Sequence, residues 1–250
     1  MMARMSFADA LDILYEDNHC LALNKPAGWP TTHFDGKDET VDRLAKSYLK
    51  EKYQKPGNVF LGVVHRLDKP VSGVLLFART SKAAARLSEQ FREGMVEKQY
   101  WAVVENQLAN PGRESGGVPW ATADSGSLED WLKKDDPKAR VEVVPKDTPD
   151  ARFARLLYQV RGRHDGLTWV ELRPHTGRKH QLRVQLSSRG CPIYGDAKYG
   201  SDHAFGPGIA LHARSLTFLH PTTQNPITVT ADVPKIWRGR FAHLLASGAA

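Results

Sequence analysis

The pattern of apolar and polar positions along the chain predicts more strands than helices. Short runs rich in branched and aromatic residues recur throughout, and Gly, Pro, Asn or Asp flank them, as is typical of strands. The predicted strands cover residues 13–16, 20–24, 74–78, 97–105, 140–144, 154–160, 168–173, 209–220 and 227–233. Residues 162–166 indicate a hairpin turn, so we expect antiparallel pairing of the strands on either side.

Helices are predicted where apolar residues recur at spacings of three and four. Such spacing covers residues 39–52, residues 81–91 and a C-terminal segment that Pro234 opens. Ser81 is a good N-cap for the second of these helices, and Gly94 is a natural stop. Because strands outnumber helices without a βαβ rhythm, the expected class is α+β.

A basic helix is predicted after the strand at 168–173. Thr176 is expected to cap this helix, which would end near Gly190. Arg178, Lys179 and Arg183 would then form a basic cluster beside an apolar face. A helix N-terminus with cations suits a phosphate or a carboxylate, although a solvated basic face is commoner.

The periodicity fades between residues 106 and 138. Several glycines and charges there indicate an irregular, partly exposed insertion. Within it, residues 128–134 fit either one helical turn or an edge segment of a sheet, and the sequence does not decide between them.

Composition is compatible with a globular enzyme and with a polyanionic partner. The chain has 250 residues, 41% of them hydrophobic, which suffices for a packed core. Lys and Arg number 35 against 28 Asp and Glu, for a net charge of +7. This balance favours a partner such as nucleic acid, and an ordinary basic enzyme fits equally well.

Several protein classes are disfavoured by the cysteines, the histidines and the hydropathy. Cys20 and Cys191 form no CxxC pair, so neither a disulfide framework nor a zinc module is indicated. None of the ten histidines has a recognised metal-ligand spacing. No run could span a bilayer, and the first ten residues lack the apolar core of a secretion signal. We therefore expect no metal, no membrane association and a cytoplasmic location.

A carboxylate among cations stands just before an apolar strand. Asp68 lies amid basic neighbours, and Pro70 with Gly73 forms a tight connection to the strand at 74–78. Such a loop mouth is a common place for chemistry. An Asp before a turn also commonly bonds the local backbone, so this stretch alone leaves both interpretations open.

Four short motifs follow one another along the chain. They are His65-Arg66-Leu67-Asp68-Lys69-Pro70-Val71-Ser72-Gly73, Lys98-Gln99-Tyr100-Trp101-Ala102, Arg173-Pro174-His175-Thr176-Gly177-Arg178-Lys179-His180-Gln181-Leu182-Arg183 and Gly195-Asp196-Ala197-Lys198-Tyr199-Gly200. Together they closely resemble the RluA family of pseudouridine synthases, over about residues 13–233. One position departs from the family, which usually has Thr where Val71 stands. Since that hydroxyl is not the reacting group, we expect activity to survive.

The resemblance implies the pseudouridine synthase fold, a mixed and mainly antiparallel sheet with flanking helices and loops around a central RNA-binding cleft. It also implies isomerisation of a uridine in rRNA or tRNA to pseudouridine, with no cofactor and no metal. Residues 1–250 would form a single catalytic domain, with a core of about 13–245, that acts as a monomer. The N-terminal S4 module of many relatives is not expected.

Catalytic roles follow from the same resemblance. Asp68 matches the catalytic aspartate, Tyr100 the tyrosine that stacks on the target base, and Arg183 the arginine that pairs with the aspartate. A nucleophilic Asp in a partly dry pocket needs such a cation to offset its desolvation. Whether the carboxylate attacks C1′ or C6 of the uridine is left open.

RNA contacts are also implied, because the uridine must be extracted from its stack. Arg66 is the candidate wedge, since its flat guanidinium can stack among bases. The other expected RNA-binding residues are His65, Lys25, Lys69, Arg178, Lys179 and Lys198. A short stem-loop with an exposed uridine is the expected target.

Two other classes of function are alternatives to this one. A glycosidase-like hydrolase would need a second carboxylate at a set distance from Asp68, and the motifs offer only Asp196. A noncatalytic RNA-binding protein that retains the fold is the other alternative. The presence of Asp68, Tyr100 and Arg183 together argues against lost catalysis.

Overall fold

The computed structural model of the chain describes residues 11–32, 39–106, 124–135, 137 and 139–247. These residues form two compact units. Unit 1 takes in the described residues up to Glu97 together with Ala213–Asp232, and unit 2 takes in Lys98–His212 and the described residues from Val233 onward. The expectation of a single catalytic domain stays a prediction.

The described residues contain eleven strands, five α-helices and a short 3-10 helix at Ala197–Tyr199. The strands are β1 (Asp12–Glu16), β2 (Cys20–Lys25), β3 (Gly62–Val63), β4 (Ser72–Ala78), β5 (Glu97–Glu105), β6 (Ser125–Asp135), β7 (Arg140–Val144), β8 (Arg152–His164), β9 (Leu167–Pro174), β10 (Leu211–Leu219) and β11 (Pro226–Thr230). The helices are α1 (Val41–Lys52), α2 (Ser81–Arg92), α3 (Gln181–Ser187), α4 (Lys235–Arg240) and α5 (Ala242–Ser247). None of the helices in the described ranges has the length and apolar character needed to cross a membrane.

Unit 1 is built around the buried strand β4. Its neighbours follow the order β1-β2-β4-β10, with β3 beside β4 and β11 beside β10. Every residue of β4 is buried, which explains the continuous apolar run from Val74 to Ala78. Val74 and Leu76 pack in one cluster with Leu87 of α2 and Phe218 of β10. The strand that follows the predicted catalytic loop is therefore held from several sides.

Helix α2 begins where its sequence predicts, but its cap differs by one residue. Thr80 is the N-cap, and its hydroxyl accepts a hydrogen bond of 3.1 Å from the Ala83 amide. Ser81, the predicted cap, is the first helical residue. Gly94 follows the helix with a φ of +72°, as expected for a residue that ends a helix.

Unit 2 contains a sheet with the order β5-β9-β8-β6-β7, in which every neighbouring pair is antiparallel. The hairpin between β8 and β9 turns at Asp165 and Gly166, so the predicted turn at 162–166 is shorter than expected. A bulge between Val160 and Gly162 allows β8 to continue through this stretch.

Residues 128–134 are not a helical turn, and from Trp131 onward they are not an edge segment either. They belong to β6, which pairs with β8 on one side and β7 on the other. Leu128 and Leu132 are the buried positions, and a spacing of four suits a strand and a helix alike. Most of the remaining predicted insertion, residues 107–123 together with 136 and 138, lies outside the described residues.

The predicted basic helix after β9 is shorter than expected. Helix α3 starts at Gln181, after His180 in a left-handed conformation with φ 52°, and Thr176 does not cap it. Arg178 and Lys179 precede the helix and are exposed, whereas Arg183 lies within it and is only 5% exposed. The prediction of a basic cluster on one helix face is therefore wrong.

A glycine is required at the start of β4. Gly73 has a φ of +112°, and a Cβ there would lie 2.6 Å and 2.7 Å from the backbone N and C of Ala213. We expect Gly73→Ala to lower the free energy of unfolding by about 3 kcal/mol or more, because backbone strain and a collision act together.

Two matched variants separate these effects in denaturant titrations. Gly94→Ala meets strain alone, with no atom within 4 Å, and should lose about 1 kcal/mol. Gly57→Ala meets neither strain nor a neighbour and should change stability by less than about 0.5 kcal/mol. Equal losses for Gly73→Ala and Gly94→Ala would show that the approach of Ala213 is unimportant.

Candidate active site

The loop that carries Asp68 is a tight turn with a buried frame. The Val71 amide donates a hydrogen bond of 3.0 Å to the Asp68 carbonyl, which closes the turn. Leu67 and Val71 are 6% and 3% exposed, whereas Asp68 itself is half-buried. The departure at Val71 thus places an apolar side chain at a buried position.

The segment after β2 fixes the backbone on both sides of Asp68. The Thr31 hydroxyl donates to the Leu67 carbonyl at 2.9 Å and accepts from the Leu67 amide at 3.2 Å. The Gly28 amide donates to the Lys69 carbonyl at 2.8 Å. Because the residues before and after Asp68 are both tied down, its Cα has little freedom to move.

Lys25 connects these two segments from inside unit 1. Its side chain is fully buried, and Nζ donates to the carbonyls of Pro26, Trp29 and Lys69 at 2.9, 2.8 and 3.2 Å. Burial lowers the pKa of Lys25 to about 7, and the nearby negative charge of Asp68 acts in the opposite direction. We therefore assign Lys25 to the interior rather than to the RNA-contacting surface that the sequence predicted.

His65 is likewise engaged by the protein. Its Nε2 accepts a hydrogen bond of 2.9 Å from the Leu76 amide of β4, and its ring stacks on Phe91 of α2 at 4.6 Å. These contacts join the start of the motif to the strand and the helix behind it. Its predicted role as an RNA contact stays a prediction.

The other two predicted catalytic residues lie in unit 2. Tyr100 is a half-buried residue of β5, opposite Leu172 of β9. Arg183 projects from α3, and its Nε and Nη2 donate to Asp196 Oδ2 and Oδ1 at 2.6 and 2.8 Å. The predicted pairing of Arg183 with Asp68 joins residues of different units and stays a prediction.

Asp196 holds the arginine in a fixed orientation. It is 1% exposed, and its bidentate contact leaves the guanidinium carbon 5.0 Å from the centre of the Tyr199 ring. A fork of two parallel hydrogen bonds fixes the plane of a guanidinium. The carboxylate is thus engaged by Arg183 and does not suit the second acid or base of a glycosidase.

The loop around Asp196 is anchored by residues that the sequence did not single out. Ser201 Oγ accepts from the Gly195 amide at 2.9 Å and donates to Glu105, a buried residue at the end of β5. The Tyr199 hydroxyl accepts from the Val141 amide at 3.0 Å. A buried Arg needs a carboxylate partner, and Asp196 lies in a quoted motif, so this pair was within reach of sequence reasoning.

The remaining predicted RNA-binding residues are placed where a polyanion can reach them. Arg66 and Lys69 are exposed on either side of Asp68 in unit 1. In unit 2, Arg178 and Lys179 are exposed and Lys198 is half-buried. Of these, Arg178 is braced by a 3.0 Å bond from its Nε to the Phe153 carbonyl.

Comparison with known proteins agrees with these motifs. The family model described as RNA pseudouridylate synthase matches residues 19–188. The chain belongs to this family. It is 35% identical to tRNA pseudouridine synthase C of Haemophilus influenzae, over 91% of this chain and 95% of that protein. It is also 35% identical to ribosomal large subunit pseudouridine synthase D of Xanthomonas campestris, over 90% of this chain and 66% of that protein.

Solved structures place the synthase in the same fold. Human RNA pseudouridylate synthase domain containing 4 is 26% identical, with a TM-score of 0.73, and the match covers 97% of this chain and 95% of that chain. The expected α+β fold and the RluA resemblance are thereby confirmed. The protein is an RNA pseudouridine synthase, an isomerase whose substrate is RNA.

One group of side chains in the described part of the synthase has metal-ligand composition. Asp17, Cys20 and His220 converge in unit 1. His220 Nδ1 accepts from the amides of Thr222 and Thr223, so its Nε2 carries the proton and donates to Asp17 at 2.7 Å. Burial also raises the pKa of the Cys20 thiol to about 12. The group fits a hydrogen-bonded brace and not a metal site.

Lys25→Met tests the interior role of this lysine in the synthase. The variant leaves the three carbonyls without their buried donor, and we expect the free energy of unfolding to fall by about 1 to 3 kcal/mol. Lys50→Met, at an exposed position of α1, should stay within about 0.5 kcal/mol of the wild type.

The pH dependence supplies a second readout for the same variant. The pKa of Lys25 falls from its ordinary 10.5 to about 7 on folding, so the unfolded chain binds more protons between these values. Stability contributed by this group therefore rises with pH across that window. Lys25→Met should lose this rise, and an unchanged pH profile in denaturant titrations would refute the assignment.

Proposed function

We propose that the synthase modifies a transfer RNA, with Asp68 as nucleophile, Arg183 as the cation that supports it and Tyr100 against the target base. The observation that carries the proposal is the anchored half-buried carboxylate of Asp68 between two exposed cations, Arg66 and Lys69. An RNA backbone can be attracted there while the carboxylate stays in place.

The reaction sets the demands on Asp68. The N1–C1′ bond of uridine breaks, a C5–C1′ bond forms, the C5 proton leaves and N1 gains a proton. A carboxylate nucleophile divides this exchange into easier steps, provided that it is ionised when the uridine arrives. The Asp68 loop is already held in place, because the Lys69 carbonyl accepts from Lys25 Nζ and from the Gly28 amide.

Arg183 and Tyr100 would act on the same nucleotide. The fork from Asp196 holds the guanidinium in one orientation, so Arg183 could support a carboxylate without reorganising during the reaction. Tyr100 offers an aromatic face on a strand, and base stacking on such a face contributes about 1 to 3 kcal/mol. The strand holds that face more rigidly than a loop would.

Arg66 would fill the space that the flipped uridine vacates. It is exposed two residues before Asp68, and the next residue, Leu67, is buried and tied to Thr31. A guanidinium on a fixed backbone can stack between neighbouring bases. This reduces the free energy that base flipping requires.

Transfer RNA is favoured as the substrate class by the extent of the similarity. Relatives from Haemophilus influenzae and Yersinia pestis carry the name tRNA pseudouridine synthase C, and the matches cover 95% and 93% of those proteins. Ribosomal RNA is the second candidate, because the Xanthomonas campestris ribosomal enzyme is equally identical, at 35%.

The experiment is a pseudouridine map of total RNA from cells that lack the gene, complemented with wild type or with Asp68→Asn. Wild type should restore pseudouridine at a tRNA position, and the nearly isosteric Asp68→Asn should restore none while it still binds RNA. Asp147→Asn, at an exposed position of unit 2, serves as the matched control and should behave as wild type.

Each part of the proposal has its own contrary outcome. If wild type restores pseudouridine only at a ribosomal RNA position, the substrate class is ribosomal RNA and the proposed catalytic roles are unaffected. Restoration by Asp68→Asn would remove Asp68 as nucleophile, whatever the RNA.

A further inference from the structure

Lys98 lies on the same face of β5 as Tyr100. Alternate residues of a strand point to the same side, and Lys98 and Tyr100 are two positions apart. Both side chains are half-buried and both belong to unit 2. An amine therefore lies next to the aromatic ring proposed to contact the target base.

Lys98 is half-buried, and this burial partly desolvates its ammonium. Among the described residues, no hydrogen-bond acceptor or carboxylate pairs with its Nζ. Burial lowers the pKa of Lys98, and no charged group compensates for this effect. Lys25, by contrast, is fully buried and donates to three carbonyl acceptors. A buried lysine of this protein can therefore be fully hydrogen-bonded.

The end of the Lys98 side chain lies beside the loop that precedes α3. A Cβ placed on Gly177 would be 3.9 Å from Nζ, so the glycine leaves space next to the amine. The exposed Arg178 and Lys179 directly follow Gly177. Nζ is thus located next to the point where a polyanion would meet the exposed cations of this loop.

A partly desolvated cation without a partner is unfavourable, and an anion that binds it reduces this free-energy cost. We propose that Lys98 binds a backbone phosphate of the RNA beside the target uridine. The proposal rests on the proposed function, in which Tyr100 faces the target base. A phosphodiester carries a full negative charge and can neutralise an unpartnered ammonium. A carbonyl of uracil is neutral and cannot. A phosphate held here fixes the nucleotide against Tyr100.

The test is a coupling experiment with stem-loop RNAs that carry one neutral methylphosphonate at a time near the target uridine. For wild type, one such replacement should weaken binding by about tenfold or more, as loss of a charge-assisted bond predicts. For Lys98→Gln, the same replacement should have little further effect, because the two changes remove one interaction. The control Lys134→Gln, at an exposed position of β6, should lose as much RNA affinity on the methylphosphonate replacement as wild type does.

The pH dependence of binding gives an independent readout. Phosphate binding favours the charged amine, so complex formation takes up a proton, and wild-type affinity should fall as the pH rises through the lowered pKa of free Lys98. Lys98→Arg keeps its charge and should lose this fall while it retains affinity at neutral pH.

The proposal is overturned if every methylphosphonate weakens wild type and Lys98→Gln equally, or if Lys98→Arg follows the pH profile of wild type. A purely structural lysine would give these results. Binding is measured without turnover, so a wild type that binds with the predicted coupling but forms no pseudouridine would refute the proposed function and not this site.

Discussion

The site in unit 1 depends on one buried ammonium. Lys25 donates to three carbonyls, and one of them, that of Lys69, belongs to the residue after Asp68. With Thr31 bonded to Leu67, this contact fixes the backbone on both sides of the carboxylate. Burying a lysine is unfavourable unless acceptors satisfy it, and here the acceptors are the backbone that must be held still. The negative charge of Asp68 in turn opposes the lowering of the Lys25 pKa by burial.

Unit 2 uses a buried cation in a different way. Arg183 is 5% exposed and is held by the bidentate carboxylate of Asp196, which is 1% exposed. A buried ion pair contributes little net stability, but it fixes orientation strongly. Lys98 differs from both Lys25 and Arg183, because it is desolvated without a partner in the described residues. We infer that Lys25 and Arg183 stabilise the local structure and that Lys98 binds the substrate.

Much of the fold could be predicted from the sequence because the buried positions of its strands and helices produce the apolar pattern that predicts them. The continuous apolar run of β4 predicts a central strand, and the structure buries all its residues. The errors have local causes. Thr80 and Ser81 are both good N-caps, so the sequence does not show which of them caps α2. Leu128 and Leu132 are four apart, a spacing that a strand and a helix share.

The site was predicted less completely than the fold, because a sequence shows charge but not the partners of a charge. Lys25 could be taken for a surface cation, since only the folded chain brings three carbonyls to its Nζ. The sequence presents Asp196 only as a possible second carboxylate, because its contact with Arg183 depends on the loop that Glu105 and Ser201 hold. Asp68, Tyr100 and Arg183 stay predicted catalytic residues, and motif resemblance rather than periodicity indicates them.

The most direct test of the central claim is a single-turnover measurement on Lys25→Met with saturating RNA, alongside its RNA dissociation constant. If Lys25 positions Asp68 from the interior, the rate of pseudouridine formation should fall at least about tenfold, as expected for a misplaced nucleophile, while the dissociation constant stays near that of wild type. A higher dissociation constant with an unchanged rate would contradict this role and would indicate that Lys25 contacts the RNA.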